Sequence, residues 1–386
     1  MATLFGRYLP EHGIHTDLVS VQDGAAVPWP AGRLFTRGGP GPLARRWAQL
    51  GVALDLFRLA RRPGYAALQV RDRIVGGWLG LLAARCNGLP FFYWMSFPFP
   101  EAWHDLGAGH EASSAGRWQR LGWRLRGIAS GFILYRMVLP RADHIFVQSQ
   151  AMLDWLARRG VSPQRMTAVP MGVDLPADLQ AIAPADDPRL RDRKVIVYLG
   201  ALDRMRHPEV MIEAMATVVR EEPQALLVLV GDAAQPGERA WLDAEIARRG
   251  LRGSVLVTGW LAPEQGWRYL RAARIGLSPF PRTRILEMAS PTKVCEYLAY
   301  GIPVVANDQP DQAALLALTG GGLCVPLSAD GFAAGILALL ADPARAQQMS
   351  QAGRAAIGAT RSYSVLARQL ARQYRRLLTP GGGDEP

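Results

Sequence analysis

The segment from Ser290 to Ala306 places a cation and a carboxylate on one face of a short predicted helix. Ser290 suits the N-cap and Pro291 the first helical position, so free backbone amides face outward there. Such a helix end carries a partial positive charge and binds phosphate readily. Lys293 and Glu296 are three residues apart, so a lysine that can contact a diphosphate lies beside a glutamate that can accept both hydroxyls of a ribose. The same spacing also fits an ordinary solvated Lys–Glu pair, and spacing alone leaves both interpretations open.

Lysine is almost absent from the rest of the chain. Of the 44 lysines and arginines, only Lys194 and Lys293 are lysines. An ammonium group is a compact point charge, whereas a guanidinium is a planar fork. The choice of lysine at position 293 therefore favours a function that needs a point charge.

Short apolar runs alternate with helical patterns through the second half of the chain. Continuous apolar strands between helices are typical of a parallel sheet that is buried on both faces. The sequence predicts a doubly wound α/β domain, with ligands beyond the carboxyl ends of its strands. The predicted strands are Val195–Leu199, Leu226–Val230, Val255–Val257, Ile275–Leu277 and Pro303–Ala306, and the helices after the first two are Pro208–Arg220 and Glu238–Arg249.

The first half repeats this alternation less regularly. Met1–Glu11 has a helical pattern where a doubly wound domain would begin with a strand, so we expect either a late start or a missing first strand. The strands predicted after it are Thr16–Val21, Ala67–Val70, Pro90–Met95 and His144–Val147.

Length and composition predict the domain organisation. A chain of 386 residues is too long for one typical core. The stretch 175–193 is rich in Ala, Asp and Pro, which is typical of a linker. We expect a first domain over 1–174, a linker over 175–193 and a second domain over 194–362. A basic amphipathic helix and a frayed tail over 363–386 are expected to return to the first domain.

Charge and cysteine content limit the possible surroundings. The net charge of +11 calls for an anionic partner. Cys86, Cys295 and Cys324 are widely spaced and odd in number, which predicts no disulfide framework, no metal site and a reducing compartment. No signal peptide and no run of about 20 apolar residues is found, so no membrane-spanning helix is expected.

Five motifs in order resemble the retaining GT-B glycosyltransferases of family 4. The resemblance extends from about Tyr65 to Leu378. It implies two doubly wound Rossmann-like domains that face a central cleft. It also implies transfer of a hexosyl or related sugar from a nucleotide-diphosphate donor with retention of configuration. The motifs are Val169–Asp174, Tyr198–Arg206, Gly231-Asp232, Thr258–Trp260 and Ser290–Ala306.

The resemblance assigns donor binding to the second domain. Arg206 and Lys293 would bind the diphosphate together with the amides around Ser290–Thr292, and Glu296 would bind the ribose. The catalytic set implied is Arg206, Lys293, Glu296 and Ser96. The donor-binding set implied is Gly200, Arg206, Gly231, Asp232, Trp260, Leu261, Ser290, Pro291, Thr292, Lys293 and Glu296.

Two positions in the second domain depart from the family pattern. Ala201 replaces an arginine of the phosphate loop, with Arg204 as a possible substitute for the lost charge. Met288 stands where many members have a second glutamate, and Glu287 is one residue away. Recognition of the donor sugar is therefore left open.

The first domain departs at the strand that ends in Ser96. The family usually has a histidine or aspartate there, and a serine by itself cannot act as a general base. Glu101 and His104 follow in what is expected to be a loop and are candidate contacts to the acceptor. A lone glutamate or histidine in a Pro-rich loop more often has a structural role, and that alternative stays open for both residues.

A basic segment over 115–140 predicts a membrane contact. No acidic residue lies between Glu111 and Asp143, while six arginines do, and Trp118, Leu121, Leu125, Ile128, Phe132 and Tyr135 recur at helical spacing. A cationic amphipathic helix of this kind can lie on an anionic membrane surface. The alternative is a core helix whose apolar face packs on the sheet. No nucleic-acid-binding module is recognisable, so no nucleic acid is expected as a partner.

Together these features predict a glycosyltransferase at the inner face of the plasma membrane, within the cytoplasm. Its acceptor would be a glycan or a polyprenyl-linked sugar in the synthesis of a bacterial surface polysaccharide. No Asp-x-Asp pair occurs, so neither a metal nor a cofactor besides the donor is expected. A nucleotide-sugar 2-epimerase of the same fold, or a non-catalytic partner subunit, remains the alternative.

Overall fold

The chain divides into two compact units. The computed structural model describes residues 2–21, 28–38, 42–108 and 116–379, with the backbone alone at 2, 42–46, 49 and 50. Unit 1 comprises Met1–Pro170 and Tyr363–Pro386, and unit 2 comprises Met171–Ser362. The stretch 175–193 belongs to unit 2, where Leu179 and Leu190 pack against the core. The tail at 380–386 lies outside the described residues.

The described residues of unit 1 form six parallel strands in two sheets. The two-stranded sheet pairs β1 with β2, and the four-stranded sheet has the order β3-β4-β5-β6. The register aligns Val70 with Tyr93 and Tyr93 with Ile145. The strands are β1 Leu18–Val21, β2 Leu34–Arg37, β3 Leu68–Arg71, β4 Phe91–Met95, β5 His144–Val147 and β6 Met166–Ala168.

Unit 2 contains one parallel sheet of six strands. Its order is β12-β11-β10-β7-β8-β9, so the chain starts near the middle, builds outward on one side and then crosses to the other. This is the doubly wound arrangement, and its reversal point lies between β7 and β10. The strands are β7 Lys194–Leu199, β8 Ala225–Val230, β9 Val255–Val257, β10 Ile275–Ser278, β11 Val304–Asn307 and β12 Gly322–Val325.

Helices connect the strands in both units. Among the described residues, none of these helices is both long enough and apolar enough to cross a membrane. In unit 1 they are α1 Pro42–Ala60, α2 Ile74–Cys86, α3 Phe99–Ala108, α4 Arg117–Phe132 and α5 Gln150–Ala157. In unit 2 they are α6 Pro208–Glu221, α7 Pro236–Arg248, α8 Pro263–Ala272, α9 Thr292–Ala299, α10 Pro310–Thr319, α11 Ala329–Ala341 and α12 Pro343–Thr360, and α13 Tyr363–Leu378 follows in unit 1.

The sheet of unit 2 is buried on both faces, as its continuous apolar strands predict. Every residue of β8 is buried. Ile196 and Leu227 pack with α6 and α11 on one face, and Val197 and Val228 pack with α9 on the other. The predicted α/β architecture with parallel sheets is therefore confirmed.

The helix α13 belongs to the core of unit 1. Leu370 and Tyr374 are buried against Phe92 and Phe146. The Tyr374 hydroxyl donates a hydrogen bond to Gln69 at 2.7 Å. Because α13 supplies these contacts, unit 1 is built from both ends of the sequence.

Candidate functional site

Two glycines allow the backbones to approach closely where β7 and β8 end. Gly200 has φ +141° and Gly231 has φ +147°, values that side chains disfavour. A Cβ on Gly231 would collide with the carbonyl oxygen of Gly200. The amide of Leu202 donates to the carbonyl of Asp232 at 3.0 Å, which ties the two loops together. The predicted residues Gly200, Gly231 and Asp232 therefore lie at neighbouring strand ends.

Lys293 lies in the space that the absent side chain of Gly200 leaves open. A Cβ on Gly200 would be 3.3 Å from Lys293 Nζ, and this ammonium is 5.0 Å from the ring centroid of Tyr198. Burial, together with the charge of Arg206, lowers the pKa of Lys293 to about 8, and the charge of Glu296 acts in the opposite direction. Within the described chain Lys293 forms no ion pair. It is a partly buried cation that lacks a carboxylate in contact.

Glu296 shares the same face of α9 and is also desolvated. Burial raises its pKa, while the charge of Lys293 and a hydrogen bond from Thr292 oppose that rise. Lys293 and Glu296 lie in each other's field but do not form an ion pair in this part of the structure. A solvated surface Lys–Glu pair is therefore the wrong interpretation of their spacing.

Arg206 acts electrostatically on Lys293, whereas Arg204 contacts a tryptophan. Both belong to the short 3-10 turn Arg204–Arg206 after β7. The charge of Arg206 lowers the pKa of Lys293, so the two cations are close together. Arg204 instead stacks on Trp241, with its guanidinium carbon 4.5 Å from the ring centroid. Arg204 thus does not replace the charge lost at Ala201.

Ser290 does not cap α9, which corrects the expectation from its sequence position. The helix begins at Thr292, with Pro291 at the N-cap and no side-chain cap. The Ser290 hydroxyl instead accepts from the amide of Met171 at 3.0 Å and donates to Asp311 at 2.7 Å. A buried carboxylate with few other partners competes better for this hydroxyl than a helix amide that solvent can reach.

Asp311 is held by a buried arginine. Arg361 donates to Asp311 Oδ1 at 2.9 Å, and both side chains are almost fully buried. Arg361 Nη1 also lies 3.4 Å from the Met171 carbonyl and from Ser290 Oγ. The set Arg361, Asp311, Ser290 and Met171, here called the anchor cluster, fixes the start of the segment that carries Lys293 and Glu296. Sequence reasoning missed Arg361 and Asp311 because they lie far along the chain from that segment.

A second contact fixes α9 from its other side. The Tyr297 hydroxyl accepts from the amide of Leu199 at 2.9 Å. Tyr297 is fully buried, and a side chain on Gly276 would collide with its ring. The helix is therefore fastened to the end of β7, where Gly200 begins the next loop.

Four residues of the predicted donor-binding set, Gly231, Asp232, Trp260 and Leu261, follow the ends of β8 and β9. The amide of Gly231 donates to Thr258 Oγ1 at 3.3 Å. Asp232 is held by Arg239, whose Nη1 is 3.0 Å from both carboxylate oxygens. Trp260 is 62% exposed and so is not a packed core residue, whereas Leu261 packs against the core. Arg239 was missed because it lies on α7, a helix that has no distinctive motif.

Glu287 is next to Met288, the position at which many family members have a glutamate, and its carboxylate is already paired with an arginine. Glu287 accepts from Arg282 at 2.7 Å, and Arg282 also contacts Asp308 at 2.5 Å. Met288 is buried. Glu287 is thus part of an exposed ion-pair network that immediately precedes the segment Ser290–Ala306.

Ser96 and the other first-domain candidates belong to unit 1. Ser96 follows β4, and its hydroxyl donates to Asp72 at 2.5 Å. Glu101 and His104 lie on α3 rather than in a loop, because the Pro-rich start gives way to a helix at Phe99. Glu101 is buried and accepts from Tyr135 at 2.6 Å, which is a structural contact, whereas His104 is exposed beside Asp105.

Comparison with known proteins places this architecture among the glycosyltransferases. Over 97% of this chain and 91% of the other, the fold matches sucrose-phosphate synthase from Thermosynechococcus elongatus with a TM-score of 0.69 at 23% identity. It also matches Anabaena HepE in complex with UDP, with a TM-score of 0.61 at 16% identity over 89% of this chain and 86% of that one. Identities this low show the fold alone, which is the GT-B arrangement of two Rossmann-like domains.

Family models divide the chain in the same way. Residues 1–176 match Glycosyltransferase Family 4, and residues 183–356 match Glycosyl transferases group 1. The chain thus contains one region that matches each of these two glycosyltransferase models, in the order that the resemblance predicted.

Curated relatives agree with this family assignment. D-inositol 3-phosphate glycosyltransferase of Segniliparus rotundus is 30% identical over 255 residues, which cover 63% of this chain and 54% of the relative. The chain spans about half the length of the curated relatives it matches.

Breaking the anchor cluster is expected to destabilise unit 2. Asp311→Ala leaves the buried charge of Arg361 unpaired, and losses of about 3–5 kcal/mol are typical for this change. Arg248→Ala, in an exposed ion pair on α7, should cost less than about 1 kcal/mol. Urea unfolding followed by circular dichroism measures both variants. Equal losses for the two would show that the cluster does not stabilise the unit.

Proposed function

We propose that the protein transfers a sugar from a nucleotide-diphosphate donor, with the donor bound in unit 2. The observation that carries this proposal is the desolvated cation Lys293, which contacts no carboxylate among the described residues, lies beside Gly200 and is within electrostatic range of Arg206. A partly buried charge of this kind costs free energy unless a ligand compensates for it. A diphosphate supplies the missing negative charge.

The other donor contacts follow from the same arrangement. Arg206 and the free amides at the start of α9 would join Lys293 at the diphosphate. Glu296 would accept the ribose hydroxyls, and Gly231, Asp232, Trp260 and Leu261 would surround the base. The presence of UDP in the related HepE structure supports a nucleotide-sugar donor.

The chemistry proposed is metal-independent transfer with retention of configuration. Arg206, Lys293 and the amides of Ser290–Thr292 would stabilise the leaving diphosphate through charges that are already in place. The leaving phosphate would take the proton from the acceptor hydroxyl on the same face of the sugar. Ser96, at the end of β4, would contact donor or acceptor as a positioning group.

A donor screen tests the whole proposal. The full chain is incubated with common nucleotide sugars, with and without EDTA, and nucleotide release and the anomeric configuration of the product are followed by NMR. Release that persists in EDTA, with the donor's anomeric configuration kept in the product, is the expected result. An epimer formed without acceptor would favour the epimerase alternative, and failure to bind any nucleotide would favour the partner-subunit alternative.

Nucleotide affinity is expected to fall at alkaline pH through Lys293. Its pKa near 8 in the free protein means that the ammonium is present below that pH and lost above it, while a bound diphosphate raises the pKa. UDP affinity, measured by isothermal titration calorimetry, should be level from pH 7 to about 7.5 and fall up to tenfold per unit above about 8. Lys293→Ala should bind at least about tenfold more weakly at pH 7 and lose this slope.

Lys194→Ala is the matched control for that experiment. Lys194 is the other lysine of the chain and pairs with Glu222 at 2.6 Å at the opposite end of β7. Its removal should leave both UDP affinity and the pH slope unchanged. Identical pH slopes in wild type and Lys293→Ala would exclude Lys293 from the phosphate site.

Glu296→Ala should weaken donor binding because the ribose loses its acceptor. Loss of a hydrogen bond to a charged group in a desolvated site costs about 2–4 kcal/mol, which is roughly 30- to 1,000-fold in affinity. UDP and the free base uracil are titrated in parallel, and uracil binding should be unaffected. Glu222→Ala serves as the control, and wild-type UDP affinity in Glu296→Ala would refute the assignment.

We also propose that α4 binds an anionic membrane surface from the cytoplasmic side. Trp118 is 80% exposed and Phe132 62% exposed, and Leu121, Leu125 and Ile128 are exposed between them on the same face. This face does not pack on the sheet, so the core-helix interpretation is wrong. Arg117 and Arg124 are exposed on the same helix, which suits a surface of anionic lipid headgroups. A membrane-linked acceptor for surface-polysaccharide synthesis would be reached from such a position.

Vesicle flotation tests the membrane contact. The full chain should float with vesicles of phosphatidylcholine and phosphatidylglycerol, much less with phosphatidylcholine alone, and less as salt is raised. The double variant Trp118→Ala/Ile128→Ala should lose most of this binding. Trp47→Ala, which removes an exposed tryptophan on α1, is the matched control. Equal flotation of the double variant and wild type would contradict the proposal.

A further inference from the structure

Two neighbouring parallel strands of unit 1 end beside a polar group of three residues. β3 and β4 run in register with Arg71 opposite Trp94, and the amide of Asp72 donates to the Trp94 carbonyl at 3.0 Å. Asp72 and Ser96 are the residues that follow the two strands. The carboxyl ends of parallel strands are the usual place for ligands in such sheets.

The three side chains hold one another in a fixed arrangement. Asp72 Oδ1 accepts from the amide of Ser96 at 2.7 Å, and Oδ2 accepts from its hydroxyl at 2.5 Å. Ser96 Oγ in turn accepts from Arg71 Nε at 2.8 Å. These hydrogen bonds order the group. All three residues are also partly exposed, so a ligand can reach them.

The backbone of Asp72 is in a conformation that few residues adopt. Its φ is +55°, and it is one of three non-glycine residues with positive φ in the part of the chain that the structure describes. Aspartate tolerates this region better than most residues, but it still costs free energy. The two hydrogen bonds to Ser96 offset that cost and keep the carboxylate at the edge of the sheet.

Arg71 has donors that the protein does not use. Its Nε donates to Ser96 Oγ and lies 3.4 Å from Asp72 Oδ2, and its guanidinium carbon lies 5.8 Å from the Trp94 ring centroid. Its two terminal amino groups make no hydrogen bond to any of the described residues. They lie on a guanidinium that is already fixed, so little side-chain entropy is lost when they bind a ligand.

A fixed donor beside a fixed carboxylate matches a pair of neighbouring hydroxyls. One hydroxyl accepts from the guanidinium of Arg71, and the other donates to a free lone pair of Asp72. The charges of Arg71 and Asp72 cancel, so the pair attracts a bare anion weakly, and the carboxylate repels one. The chemistry therefore selects a neutral diol.

We propose that Arg71 and Asp72 bind two neighbouring hydroxyls of a sugar or polyol, and that Ser96 positions Asp72 for this contact. The identification of this ligand as the acceptor rests on the proposed glycosyltransferase function. The binding of the diol itself does not.

Saturation-transfer NMR on the full chain tests this site. The probes are methyl α-glucoside, methyl α-mannoside, methyl α-galactoside and myo-inositol at about 10 mM, a concentration suited to weak affinities. Wild type should show saturation transfer to at least one probe. Arg71→Ala and Asp72→Asn should reduce it about tenfold or more, and Asn keeps the positive φ accessible, so the fold is retained.

Asp143→Ala is the matched control. Asp143 accepts from the amide of Phe91 at the start of β4 and pairs with Arg85 at 3.1 Å, as Asp72 does with Ser96 and Arg71 at the end of that strand. This variant should keep the signal even where it lowers the melting temperature. Equal loss of signal in Asp143→Ala and Asp72→Asn would show that Asp72 has only a structural role, and would overturn the proposal.

Two further outcomes would also overturn it. One is the absence of transfer from wild type to every probe. The other is binding of glucose 6-phosphate alone, dependent on Arg71 but not on Asp72, which would define an anion site.

UDP titration of the same samples keeps the two proposals apart, because wild type that binds UDP without any glycoside refutes only the diol site. Wild type that binds a glycoside without UDP refutes only the donor site.

Discussion

The buried ion pair between Arg361 and Asp311 is the interaction on which the candidate donor site depends. It fixes Ser290, and Ser290 precedes the helix that carries Lys293 and Glu296. Arg361 also donates to the carbonyl of Met171, which is the first residue of unit 2. Arg361 itself is the second-to-last residue of that unit. A buried pair gives limited net stability but strongly disfavours arrangements that would separate its charges. The position of the segment that carries Lys293 and Glu296 is therefore coupled to both ends of unit 2.

Much of the fold was predictable because strands buried on both faces leave a continuous apolar run. Lys194–Leu199 and Ala225–Val230 are such strands, and their predicted bounds differ from the observed ones by one residue. Three strands were missed, namely β2, β6 and β12. Each lies at the edge of its sheet and is short and half exposed. An edge strand needs no apolar run, so its sequence carries no signal that distinguishes it from a loop.

The candidate site was predictable only as far as local sequence determines it. Lys293 and Glu296 share a helix face because of their spacing, and a glycine at position 200 marks the loop beside them. Ser290 was misjudged because its partner, Asp311, is 21 residues away and its other contact, Met171, is 119 residues away. The position of Arg71 and Asp72 beside Ser96 likewise became apparent only from the register of β3 and β4. Contacts of this range depend on the topology of the sheet, which no local pattern encodes.

The surroundings of Lys293 and Glu296 keep two opposite charges desolvated without letting them neutralise each other. Burial lowers the pKa of Lys293 and raises that of Glu296, so both ions are disfavoured by their surroundings. A direct ion pair would relieve part of this cost, yet they do not form one although they share a helix face. Tyr198 and Gly200 hold the ammonium on one side, and Thr292 donates to the carboxylate on the other. In the proposed donor site, a ligand that carries an anionic group for Lys293 and hydroxyls for Glu296 would compensate both charges, which would favour a nucleotide diphosphate over a simple anion.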